Sequence, residues 1–273
     1  MAGLAGPLLL VGCGKMGSAL LAGWIARGLA PTETYVVEPE AALRTRAREG
    51  HGVVAVAEPR ELPTDLQPKA IVFAVKPQAM AAVLPAYEHF AESGAVVLSI
   101  AAGTAIARFE TAFGDTTPIV RAMPNTPAAI GRGVTALVAN RRASAAQREL
   151  CGALMAAVGD VLWIDDEEHM HAITAMSGSG PAYVFYLIEV MAKAAIRNGL
   201  PEALAWPMAR ATVAGSAALA ASSEQAVEAL RQQVTSPGGT TQAALEVLMA
   251  ADGMQSLFER AVAAATRRSR ELA

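Results

Sequence analysis

Short, mostly continuous apolar runs separated by helix-patterned stretches constrain this chain more than any other feature. Leu8–Val11, Tyr35–Val37, Ile71–Val75, Val96–Ile100 and Ile119–Ala122 are short apolar runs, mostly continuous rather than alternating. Strands of that kind belong to a parallel sheet covered on both faces. Ser18–Arg27, Ala41–Arg48 and Ile106–Phe113 supply helices between them, and Thr135–Val138, Ala145–Val158 and Val161–Ile164 extend the series. The spacing predicts a doubly wound parallel α/β sheet of Rossmann type over residues 1–164.

From about Asp165 the strand signal stops. Pro181–Asn198, Pro201–Ser222, Glu224–Val234, Thr241–Ala250 and Gln255–Leu272 read as helices, giving an all-α domain over residues 165–273. Tyr183–Ile188 is apolar around its whole circumference, so it needs cover on every side. A helical domain of about a hundred residues gives little cover of its own. A subunit interface is the expected solution, and the C-terminal half is therefore read as a dimerisation domain.

Composition narrows the function classes. Of 273 residues, 53% are hydrophobic and 17% charged, which excludes intrinsic disorder. A net charge of −3 offers no basic field for nucleic acid or an anionic membrane. Two cysteines, Cys13 and Cys151, make no disulfide framework, and no apolar run is long enough to span a bilayer. The residues before Leu8 lack the basic flank of a secretion signal. A soluble cytoplasmic protein is expected.

Gly12-Cys13-Gly14-Lys15-Met16-Gly17 joins the first strand to the first helix, the context in which a glycine-rich turn binds a dinucleotide. Gly12 permits the tight turn, Gly14 lets the backbone approach a pyrophosphate, and Gly17 lets helix and strand close up. The helix start then offers N–H groups to the phosphates. Cys13 reads as a small filler of the turn. Glu38 ends the second strand about 20 residues on, where an acid accepts the adenosine ribose hydroxyls. Its charge favours NAD over NADP; Arg44 and Arg46 argue the other way, since either reaches far enough to meet a 2′-phosphate.

Ligands of open parallel sheets bind beyond the carboxyl ends of the strands. Three such ends, at Ala74-Val75-Lys76-Pro77, Ile100-Ala101-Ala102 and Ala122-Met123-Pro124-Asn125, would line one crevice suited to a nicotinamide. The proline after Lys76 gives that lysine a backbone role rather than an acid's. Ser236-Pro237-Gly238-Gly239-Thr240-Thr241 precedes a predicted helix, and its N–H groups and hydroxyls make a nest for a small carboxylate. Ser177–Pro181 reads as an architectural hinge. His51, His89, His169 and His171 are not spaced as metal ligands, and no metal is expected.

Taken together, Ala74–Gln78, Ser99–Gly103, Arg121–Pro127, Ser177–Tyr183 and Ser236–Thr241 closely resemble the pyrroline-5-carboxylate reductase family, from Gly12 to the final helix. The resemblance implies reduction of L-1-pyrroline-5-carboxylate to L-proline, the last step of proline biosynthesis, with NADPH or NADH. It implies substrate contacts from Glu224, Ser236, Gly239, Thr240 and Thr241. It implies cofactor contacts from residues 12–17, Glu38, residues 74–77, Ala101, Ala102, Met123 and Asn125. It also implies a homodimer, admits assembly into a decamer, and places each site where one subunit's dinucleotide domain meets its partner's helices.

The chemistry agrees with what is missing. Oxidising an alcohol needs a general base for the hydroxyl proton. The similar β-hydroxyacid dehydrogenases carry a lysine on the helix after the hinge, yet Pro181–Met191 has none and Lys193 lies three turns along. A protonated cyclic imine needs only an aimed hydride and a held carboxylate. Thr241 is the expected hydrogen-bond partner of the ring nitrogen. The alternatives are a β-hydroxyacid dehydrogenase-like oxidoreductase and a non-catalytic dinucleotide sensor.

Overall fold

Side chains of the first strand divide between two cores, Leu8 and Leu10 into one and Leu9 and Val11 into the other, so both faces of the sheet are covered. The computed structural model describes residues 6–273; residues 1–5, part of the stretch read against a secretion signal, lie outside the described residues. The order is β1 (Leu8–Val11), α1 (Lys15–Ala26), β2 (Thr34–Val37), α2 (Ala41–His51), β3 (Val54–Val56) and β4 (Ala70–Phe73). Then come α3 (Met80–Val83), α4 (Glu88–Glu92), β5 (Val96–Ser99), α5 (Ile106–Phe113), β6 (Ile119–Met123) and β7 (Gly133–Ala139). The series ends with α6 (Ala145–Ala156), β8 (Gly159–Trp163), α7 (His169–Ile173) and a π turn at Thr174–Gly178.

One eight-stranded sheet results, in the order β3-β2-β1-β4-β5-β6-β7-β8. β1 pairs in parallel with both β2 and β4, so the chain leaves β1 and β4 toward opposite faces and opens a crevice between their carboxyl ends. The expected parallel sheet needs one correction: β7 runs antiparallel to β6. Residues 124–132 are too few for the crossover of a dozen or more that a parallel partner requires.

Trp24 is fully buried on one face and donates its indole N–H to the Leu154 carbonyl at 2.9 Å, joining α1 to α6. On the other face Phe73 meets the Tyr87 ring edge-on at 5.4 Å and the Phe109 ring at 5.9 Å. Such ring contacts add about 0.5–1.5 kcal/mol each beyond burial.

Contacts divide the chain into two units. The first ends at Gly178 and includes Ala265–Ala273; the second is Ser179–Ala264. The second unit holds α8 (Gly180–Arg197), α9 (Glu202–Ser222), α10 (Val227–Gln233) and α11 (Thr240–Leu248), and α12 (Met254–Glu271) runs on into the last residues of the first. The α8–α9 core is small, with Ala192, Ala205 and Ala209 buried beneath Ile188, Met191 and Trp206. Burial of Tyr183–Ile188 on every side is not met within one chain: Phe185 is 65% and Tyr186 64% exposed. No helix among the described residues is long and apolar enough to cross a membrane.

Candidate active site

The glycine-rich turn is held from three sides. Gly12 donates its N–H to Val37 O at 2.8 Å, Ser18 Oγ donates to Cys13 O at 2.7 Å, and Cys13 N–H reaches Glu38 Oε2 at 2.7 Å. Gly12 has φ +90, where a side chain is strained, and a Cβ on it would press on Val75 at 2.9 Å. At Gly17 a Cβ would collide with the Gly12 carbonyl, whereas a Cβ at Gly14 meets nothing within 4 Å. Gly14 caps α1 without a side chain, so the N–H groups of Lys15, Met16 and Gly17 have no intrahelical acceptor. Two glycines thus hold the backbone close and the third faces open space. That is the shape a pyrophosphate needs.

Glu38 is only 6% exposed and its carboxylate is already engaged. Besides Cys13 N–H on one oxygen, Glu40 N–H is bound on the other at 2.9 Å. A carboxylate has about four lone-pair positions, so each oxygen keeps one acceptor position beyond these bonds. Arg44 donates to the carbonyls of Glu38 and Pro39 at 2.8 and 3.0 Å, which fixes it as a brace of the loop after β2. Burial, the largest cause, pushes the Cys13 thiol up from its ordinary value, and the neighbouring Glu38 charge adds to it, while Ser18 and Arg46 oppose. Cys13 is accordingly a neutral thiol.

The other strand ends lie along the same sheet edge. Ala74 N–H reaches Val11 O at 2.8 Å; Lys76 is exposed, and its carbonyl accepts Ala79 N–H at 2.9 Å. Ala101 is buried and donates its N–H to Ser99 Oγ at 3.2 Å, with Ala102 next to it in the loop. Asn125 Oδ1 accepts Val134 N–H at 3.0 Å and its Nδ2 donates to Ser177 Oγ at 3.3 Å. The Met123 side chain lies against Gly178, where a Cβ would displace it. One feature had no signal in the sequence: Arg121, 2% exposed, pairs with Glu167 at 2.7 Å, and the same Glu167 oxygen accepts Ile106 N–H at 2.9 Å. Its members belong to three separate segments, so spacing could not have revealed it.

In the second unit, Gly238 adopts φ +69 and Gly239 is the N-cap of α11. The glycine N–H groups are committed, Gly238 to Gln242 Oε1 at 2.7 Å and Gly239 to Ser236 O at 3.0 Å. An anion here would therefore meet the first-turn N–H groups of Thr240 and Thr241 and their hydroxyls. Glu224 is exposed and stands before α10, which starts at Val227 rather than at Glu224 as predicted; Ser223 Oγ takes Gln225 N–H at 3.1 Å and turns the chain there. Among the described residues no three His, Cys, Asp or Glu side chains gather as metal ligands.

Known proteins are similar to this chain along nearly its whole length. The reductase of Pseudomonas aeruginosa, named pyrroline-5-carboxylate reductase, is 40% identical over 97% of this chain and 96% of its own. The chain belongs to the pyrroline-5-carboxylate reductase family. The Synechocystis member is 39% identical over 96% of this chain and 97% of its own. The family described as pyrroline-5-carboxylate reductase dimerisation matches residues 167–272, and that described as NADP oxidoreductase, coenzyme F420-dependent, matches residues 8–103. A solved pyrroline-5-carboxylate reductase from Coxiella burnetii superposes with a TM-score of 0.92 at 36% identity, covering 98% of both chains. The Plasmodium falciparum enzyme, solved with NADP bound, gives 0.81 at 29% identity over 97% of both.

Proposed function

We propose that the protein reduces the C=N bond of L-1-pyrroline-5-carboxylate to give L-proline, using NADPH or NADH. The observation that supports this most is the near full-length similarity to reductases of that name. The open face at Gly14 and the three N–H groups behind it fit a dinucleotide. When bound, the reduced nicotinamide supplies a hydride to the imine carbon, and the C=N electron pair settles on the already protonated nitrogen.

The chain's own part is positioning. The start of α1 holds the pyrophosphate, and Glu38 takes the ribose hydroxyls with its two remaining acceptor positions. Residues 74–77, Ala101, Ala102, Met123 and Asn125 form the wall of the nicotinamide pocket. Asn125 lends its backbone, because its side chain already holds Val134 and Ser177. Thr240 and Thr241 hold the carboxylate, with Ser236 and Gly239 shaping the turn that presents them, Thr241 also bonds the ring nitrogen, and Glu224 supports the substrate nearby. No base is required. Lys193, the one lysine on α8, is ion-paired with Glu189 on the helix surface.

Residues 1–164 then act as the dinucleotide domain and residues 165–273 as the substrate and dimerisation domain of a cytoplasmic homodimer. A second chain would cover the exposed Phe185 and Tyr186. Oxidation of NADPH or NADH on adding pyrroline-5-carboxylate, with L-proline as product, tests the assignment.

A further inference from the structure

The last turn of α12 is charged and exposed except for one residue. Ser269 stands among Arg267, Arg268, Arg270 and Glu271 yet is 6% exposed. Its Oγ shares a 3.1 Å hydrogen bond with Nδ1 of His171, itself 7% exposed, from α7. Three residues further on, the Leu272 carbonyl lies against Gly103, so a Cβ there would sit 3.0 Å from the carbonyl oxygen. Gly103 has φ +72 in the loop that carries Ala101 and Ala102. α7 in turn leads into the π turn whose Ser177 bonds Asn125 and whose Gly178 abuts Met123.

Two loops at the carboxyl edge of the sheet are thereby braced by one helical turn. One follows β5; the other follows β6 and is reached through α7. We infer that Ser269, acting through His171, and Leu272, acting on Gly103, are positioning residues that set the nicotinamide-side wall for the dinucleotide. The inference rests on the proposed reading that Ala101, Ala102, Met123 and Asn125 touch the cofactor. Neither residue is placed to touch a reacting atom. Their effect should therefore fall on cofactor affinity and not on the chemical step.

The test compares the full-length parent with Ser269→Ala, Ser269→Thr and Gly103→Ala, reading NADPH and NADH dissociation constants by fluorescence alongside KM and kcat. Ser269→Ala is expected to weaken dinucleotide binding about three- to tenfold, the size of one neutral hydrogen bond. kcat and the affinity for L-proline should stay within about twofold, and Ser269→Thr, which keeps the hydroxyl, should recover most of the loss. Gly103→Ala should weaken dinucleotide binding in the same direction. A lowered melting temperature with unchanged dissociation constants would make the contact merely structural and overturn the inference. A parent that binds neither dinucleotide would overturn the proposed function itself. Hydrogen exchange on the parent removes any dependence on variant folding: saturating dinucleotide should slow exchange at residues 100–104 and 267–273 together. Protection at 100–104 alone would contradict the brace.

Discussion

Glu38 holds the backbone N–H of Cys13 at 2.7 Å, so the acid that ends the second strand is a structural member of the glycine-rich turn. Its other oxygen holds Glu40 N–H, and the carboxylate is nearly sealed from solvent. Acceptor strength and charge therefore both depend on one side chain.

Glu38→Gln replaces one acceptor oxygen by an amide donor facing a buried N–H. Stability should fall by about 1–3 kcal/mol, the cost of leaving a buried donor unpaired. Removing the negative charge should also move the ratio of NADH to NADPH affinity toward NADPH. Urea denaturation and fluorescence titration with both cofactors measure the two effects; an unchanged ratio would separate Glu38 from the ribose.

Two glycines of the turn should fail differently. Gly14→Val points its side chain into open space, so the fold should persist while dinucleotide binding disappears. Gly17→Ala drives a Cβ into the Gly12 carbonyl and should cost stability as well as binding. Melting curves with titration calorimetry distinguish them. Equal destabilisation of both variants would refute the assigned roles.

Much of this was legible because the strands are apolar on both faces. Leu8–Val11 needs no partner information to be read, and Ile106–Phe113 has the bounds its pattern implies. Val54–Val56, the edge strand beside β2 with Val54 exposed, lies in the apolar run Val53–Ala57 but was not read from it. Pro77 and Pro85 broke the pattern of residues 77–92 into the short helices α3 and α4. The antiparallel β7 depends on loop length, which apolar runs do not encode. Arg121 with Glu167, and Ser269 with His171, are tertiary pairs between distant segments. The commitment of Gly238 N–H to Gln242 likewise depends on a rotamer, so the sequence does not tell which donors of that segment stay free.

Thr241→Ala should lower kcat/KM about ten- to hundredfold, as expected for a lost hydrogen bond to a charged group of about 1.5–3 kcal/mol. Dinucleotide affinity should not change. Steady-state kinetics with direct binding measurements checks both, and an unaltered kcat/KM would remove Thr241 from the site.

Burial pushes the Cys151 thiol up to about 12 from 9.0. The folded chain then keeps a proton that the unfolded chain releases, so this stabilisation is complete below about pH 9 and is lost as pH rises toward 12. Cys151→Ala cannot lose it. Urea midpoints of parent and variant should therefore converge between about pH 7.5 and pH 10. A constant gap would contradict a buried, protonated thiol.

On the proposed reading a second chain covers the exposed rings of α8, and sedimentation at low micromolar concentration should find a dimer; a stable, active monomer would be fatal to that reading. Shared sites would add a second signature. Mixing Gly14→Val with Thr241→Ala under conditions that exchange subunits should restore activity, since one site of each heterodimer is then intact. Verified exchange without recovered activity would place each site within one chain.

The most direct measurement is of product. Purified protein is incubated with L-1-pyrroline-5-carboxylate and NADPH, then NADH, following dinucleotide oxidation and L-proline by chromatography. Equal amounts of oxidised dinucleotide and L-proline, with at least one cofactor, are the expected result. Firm dinucleotide binding with no L-proline formed from either cofactor would contradict the account.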